Sequence, residues 1–200
     1  DLHASLAPSE MCIRDSLNAD EFDAALYLVS PTQDIVDAGH GSPWWRLQGA
    51  SAVAQWVASA ADPGFGQLWP SARDRLEVAF SEYAGSGASE GLGSQYVGNV
   101  VTALQKTQRA EEAVDLSSWA LPVAAKTNNP KETLFTLCDN AVSLFCCGCF
   151  EESAMVFESV HQRAREACDA EAMGWAVNYL RDFGVFSGSP AYSQALQRLR

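Results

Sequence analysis

The residues best suited to chemistry lie together in the second half of the chain: Cys138, and then the run CCGC that supplies Cys146, Cys147 and Cys149. Zinc needs about four thiolate or imidazole ligands converging tetrahedrally, and sequences that bind it carry two paired knuckles. Here there is one cluster and no histidine in a second pair. A nucleophilic thiol wants a histidine or a helix N-terminus to lower its pKa. These cysteines fall near the expected C-terminal end of a helix, where the macrodipole opposes ionisation. Cysteine is also a small, often buried apolar residue, so packing is the first expectation, with metal, redox or disulfide chemistry as the alternative. No cofactor is expected.

The second candidate is HGSPWW, which places His40 beside Trp44 and Trp45 in a turn-rich section. Tryptophans offer stacking area and a single donor, so such a loop suits a ligand pocket; the plainer expectation is that they plug an interface between an N-terminal helix and the first full helix pair. His161, among Gln162, Arg163 and Arg165, is expected to face solvent. The glycine-rich run GSGASEGLG has no lysine and follows no strand, so it reads as a linker and not a phosphate loop. The acid pairs Glu111/Glu112 and Glu151/Glu152 stand where helices are expected to start and the dipole favours them, which makes them capping residues and not an acid/base pair.

Elements able to position these residues are punctuated by Pro31, HGSPWW, ADPGFG, AGSGASEGLG, TNNPKE and SGSP. Between the breakers apolar residues recur every three and four positions, the period of an amphipathic helix. Helices are predicted over Asn18–Val29, Ala50–Ala61, Pro70–Ala84, Ser94–Gln108, Ala110–Lys126, Lys131–Cys147, Glu151–Cys168, Ala170–Phe186 and Ala191–Arg200. Asn18 with Glu21 has capping-box spacing, and Asn129 before Pro130 supplies a cap and a first-turn proline. Val36–Gly41 and Trp44–Leu47 are the places where a short extended segment is tolerable.

The stretch SEMCIRDS, Ser9–Ser16, resembles the translated transposase end of a sequencing-library adapter, so residues 1–16 are set aside and the natural chain is expected to begin near Leu17. The remainder divides into an N-terminal helix and loop over residues 17–47 and a helical domain over residues 48–200, read as a fragment incomplete at both ends. Without Glu10, Asp15 and Arg14 the formal charge of −12 becomes −11, which repels phosphate backbones and argues against nucleic acid. The longest apolar run is far short of the ~18–20 residues of a membrane span. Setting Cys12 aside leaves Cys138, Cys146, Cys147, Cys149 and Cys168; an odd set in one quarter of the chain argues against a secreted disulfide framework and for a cytoplasmic location.

The pattern repeats. A shift of 40 lays AEEAVDLSSWA over FEESAMVFESV, and carries Val97 to Leu137, Val101 to Ala141, Leu104 to Leu144 and Gln108 to Gly148. Small anchors recur at Ala72, Ala113, Ser153 and Ala195, flanked by Trp69, Leu76, Ala79 and Tyr192, Leu199. Two antiparallel helices cannot bury both apolar faces alone, so neighbouring pairs must stack and share a core. Gly148, Phe150, Ser153, Phe157 and Val160, with Leu137, Ala141 and Leu144 before them, resemble the tetratricopeptide repeat. The period near 40 exceeds that family's 34, the proline after the second helix is missing, and Gln108 stands where a glycine belongs. A longer-helix variant fits best.

The expected fold is therefore all-α, stacked antiparallel helix pairs forming an α-solenoid. The resemblance implies a scaffold or sensor module of a larger signalling or regulatory protein, binding a segment of another protein on a concave surface. Its contact residues would be polar side chains of the first helices: Asn99, Thr102, Asn140 and Asn178. The alternative is a helical domain of an enzyme, with a pocket near His40, Trp44 and Trp45 or a metal or redox site at the cysteines.

Overall fold

The computed structural model describes residues 42–60, 66–87 and 92–199. The adapter-like segment, the helix expected at Asn18–Val29, the extended segment allowed at Val36–Gly41, and His40 lie outside them. Among the described residues the chain is all-helical, with α1 Pro43–Ser59, α2 Trp69–Gly85, α3 Gly93–Lys106, α4 Ala110–Ala124, α5 Pro130–Cys146, α6 Phe150–Glu166, α7 Ala170–Ser187 and α8 Pro190–Arg198. None of these helices is long and apolar enough to cross a membrane.

Local chemistry accounts for most helix ends. Asn129 caps α5 through its side chain, accepting from the Lys131 N–H, and Pro130 takes the first turn. Asp169 and Ser189 cap α7 and α8 in the same way. Glu111 and Glu112 open α4, and Glu151 and Glu152 open α6. The first helix departs from expectation. It starts at Pro43, so Trp44–Leu47 is helical and the boundary expected after Leu47 falls inside α1. Proline is pre-organised for the first helical position; the SP step that reads as a breaker is this helix's start.

The 40-residue period is visible in the backbone. Gln108, Gly148 and Gly188 all adopt the left-handed conformation, with φ of 62°, 78° and 66°. Behind Gln108 the Arg109 N–H returns to the Leu104 carbonyl, and behind Gly148 the Cys149 N–H returns to Leu144; these are the bonds of a Schellman cap. The turn geometry is thus kept even where glycine is not. The small anchors Ala72, Ala113, Ser153 and Ala195 are all buried. Ser153 pays no polar penalty there, since its hydroxyl donates to the Ala141 carbonyl at 2.8 Å.

Successive helices pack in order, α1 on α2, α3 on α4, α5 on α6 and α7 on α8, and each pair docks on the next. Up to α5 the first helices lie side by side, α1 against α3 and α3 against α5, while the second helices α2 and α4 touch only slightly. That is a solenoid-like stack whose first helices form one continuous row, the inner row, and whose second helices form the other. The last step differs: α5 and α7 barely meet, and α8 packs back on α6. Aromatic rings bridge the wider gap, Phe135 to Trp175 at 4.9 Å and Phe145 stacked on Phe183 at 3.9 Å between ring centroids.

One carboxylate ties the inner row together. Glu132, at the start of α5, is fully buried. It accepts from the Gly93 and Ser94 N–H groups at 2.8 and 2.6 Å and from the Tyr83 hydroxyl at 2.8 Å, so it caps α3 from another helix and grips α2 as well. Gly93 belongs to the same arrangement, because a Cβ there would run into the Tyr83 ring.

Three substitutions test these devices, each read by urea denaturation. Glu132→Ala removes the acceptor of three buried donors and is expected to lower stability by about 3–5 kcal/mol. Gln108→Gly removes a left-handed non-glycine residue and is expected to raise stability by about 0.5–1 kcal/mol, whereas Gly148→Ala moves it the other way by a similar amount.

Candidate functional site

The inner row is the natural place for a site, and the four polar residues expected to form it separate there. Asn99 is exposed and Thr102 half-buried on α3, and Asn178 is exposed on α7 with its side-chain oxygen accepting from Arg181. Asn140 does not join them. It is buried, and its amide nitrogen donates to the Ser117 and Ser118 hydroxyls of α4 at 3.1 and 3.0 Å. Its role is to satisfy the α4–α5 interface, so it is corrected from a contact residue to a packing residue.

The residue on the open side of α5 is its neighbour. A helix turns by about 100° per residue, so moving from 140 to 139 carries a side chain out of the α4 interface and toward the inner row. The repeat shift already points there, for it carries Asn99 to Asp139, and again to Tyr179. The signal in the sequence that points to Asp139 is this 40-residue equivalence with Asn99; polarity alone does not separate Asp139 from its neighbour Asn140.

Asp139 keeps part of its surface open, yet its carboxyl group is densely enclosed. It rests against Gly98 of α3, where a Cβ would collide with Asp139 Oδ2. Four residues before it on α5 is Phe135, which meets Trp175 of α7; four residues after Trp175 is Tyr179, stacked on Phe157 at 5.0 Å. Tyr179 keeps 38% of its surface exposed, and its hydroxyl is pushed above its ordinary pKa by burial and by the charges of Cys138 and Asp139. Among the described residues no donor or cation pairs with the Asp139 carboxylate, and burial alone pushes its pKa up to about 7.

The cysteines differ in their surroundings. Cys138 is buried in α5, Cys146 is exposed at the end of α5, Cys147 and Cys149 are half-buried in the turn to α6, and Cys168 is exposed; all five are free thiols. Burial, with Asp139 second, pushes the Cys138 thiol up to about 12. Burial also raises Cys146, and burial followed by nearby negative groups raises Cys147. Each shift favours the protonated thiol, the less reactive form. Among the described residues no three His, Cys, Asp or Glu side chains stand where they could hold a metal ion.

The tryptophans diverge. Trp44 packs between helices, 5.8 Å from the Tyr83 ring and edge-on to Tyr96 at 5.0 Å, while Trp45 is 55% exposed. Consecutive helical residues cannot face each other, so these two do not wall one pocket. His161, expected in solvent, is buried on α6; its arginine-rich neighbours point outward while it faces the core.

The Asp139 shift predicts a pH dependence. The unfolded chain ionises this group near pH 4, the folded chain near 7, so over that window the folded state holds a proton that the unfolded state has lost. Stability therefore falls as pH rises from about 4 to about 7 and levels off above. Asp139→Asn is expected to match the wild type near pH 4 and to exceed it by about 1–2 kcal/mol at pH 8, a value discounted for the group's residual exposure, measured by denaturation at the two pH values.

Comparison with protein-family models, with curated proteins and with solved structures found no match, so what this chain does has to be read from its own side chains.

Proposed function

We propose that this chain is a protein-binding module of the tetratricopeptide-like kind, whose inner row of first helices receives a segment of a partner protein. The observation that carries the reading is positional. Asn99, Asp139 and Tyr179 fall 40 residues apart on α3, α5 and α7 and all retain open surface, with Thr102 and Asn178 beside them. A solenoid repeats its backbone at each step, so side chains at equivalent positions line a continuous surface along which an extended segment can lie. The buried faces of the same helices are filled with Val97, Val101, Leu104, Ala141 and Leu180, leaving recognition to the open positions. A place in a larger signalling or regulatory protein is an analogy drawn from the fold.

The test is site-specific photo-crosslinking. A photoreactive residue at Asn99 or Thr102 is expected to capture the partner, and one at Met155 or Val78, exposed on second helices, is expected not to. Capture from the second helices alone would transfer the binding surface to the outside of the solenoid and end this reading.

A further inference from the structure

The widest step of the inner row lies between α5 and α7, and its contents are unlike those of the other steps. Between α1 and α3 the gap is closed by hydrogen bonds, Ser51 to the Tyr96 carbonyl and Gln48 to the Tyr96 hydroxyl at 2.7 Å each. Between α3 and α5 it is closed by Gln105 donating to Ser143. Between α5 and α7 the helices part, and the filling is Phe135 against Trp175 with Asp139 and Tyr179 one turn further on.

We propose that this step is a cation subsite, in which a lysine or arginine side chain of the partner segment pairs with the Asp139 carboxylate and lies against the Trp175, Phe135 and Tyr179 rings. The proposal rests on the reading of the inner row as a partner-binding surface. Three features of the geometry carry it. Among the described residues the Asp139 carboxylate has no donor or cation while part of the residue stays open, which leaves room for a counter-charge from outside, and Gly98 makes space for the carboxylate by carrying no side chain of its own. Trp175 lies against Phe135, and Tyr179, whose hydroxyl feels the Asp139 charge, keeps part of its surface exposed; aromatic rings carry negative faces that attract cations. The remaining charged groups leave the site to a guest, because the bases nearby in sequence are engaged elsewhere, Lys131 with Asp169 and Glu171, and Arg181 with Asp182 and Asn178. The whole chain points the same way, with 25 acidic against 13 basic residues, so a basic segment is drawn to it before any specific contact forms.

The experiment uses the full chain and three fluorescein-labelled peptides of one length: a lysine–glycine repeat, the same peptide with every lysine acetylated, and a glutamate–glycine repeat. Binding is followed by fluorescence anisotropy at physiological salt. The lysine peptide is expected to bind, and Asp139→Asn and Trp175→Ala are each expected to weaken it about tenfold or more. Asp74→Asn, which removes the same charge from an exposed position on α2, is expected to change it less than twofold. Circular dichroism and urea midpoints check that each variant is folded; Asp139→Asn keeps the shape of the side chain beneath Gly98. Equal losses in Asp139→Asn and Asp74→Asn would reduce the attraction to overall charge and overturn the subsite. Binding of the acetylated or acidic peptide that is lost in Asn99→Arg but kept in Asp139→Asn would also overturn it, while leaving the inner row as the binding surface. Binding of no peptide, together with no crosslink from Asn99 or Thr102, would overturn both.

Discussion

The fold depends on a carboxylate buried where three helices meet. Glu132 takes two N–H groups from the first turn of α3 and a hydroxyl from α2, so the charge is surrounded by donors and the orphan donors of α3 are satisfied at the same time. The start of α3 has no local substitute: the residue before it is Leu92, whose side chain cannot accept a hydrogen bond. The start of α5 therefore sets where α3 begins and how closely the inner helices approach, and Gly93 allows the approach by leaving space for the Tyr83 ring.

From that anchor the solenoid is carried by repetition of a few small devices. Left-handed residues at 108, 148 and 188 turn the chain at equal intervals, and buried small residues let the second helices sit close to their partners. Near the end of the described chain the repetition loosens. With α8 folded against α6, α7 stands away from α5, and the space between them holds Phe135, Phe145, Trp175, Tyr179 and Phe183. Large rings fill a gap that hydrogen bonds between polar side chains help close elsewhere.

Glu132 and Asp139 lie two turns apart on one helix and show opposite solutions to the same physical problem. The first faces backbone N–H groups at a helix start, which supply hydrogen bonds a carboxylate needs. The second faces the middle of α3, where the backbone N–H groups bond within the helix, and among the described residues no side chain of α7 donates to it. An enclosed carboxylate without donors raises its own proton affinity. That difference sets Asp139 apart from Glu132 on the same helix: among the described residues its carboxylate has no donor or cation, while part of the residue stays open.

The helices, their caps and their period were decided by the sequence itself, because these depend on residues three, four and 40 apart: the Asn129–Pro130 start, the paired glutamates, and the anchors Ala72, Ala113, Ser153 and Ala195 that all proved buried. Even the departure at Pro43 used a local rule, applied to a proline that begins a helix instead of ending one. What the tertiary structure alone decided is the use of each polar side chain. Asn140 and Asp139 are neighbours of similar size, and only the position of α4 turns the first into a bond with Ser117 and Ser118 and leaves the second open. His161 became buried, and Glu132 found its donors 38 and 39 residues upstream, through contacts between helices that no period along the chain encodes. Helix formation responds to near neighbours, while the satisfaction of a buried charge depends on which distant groups the packing brings to it.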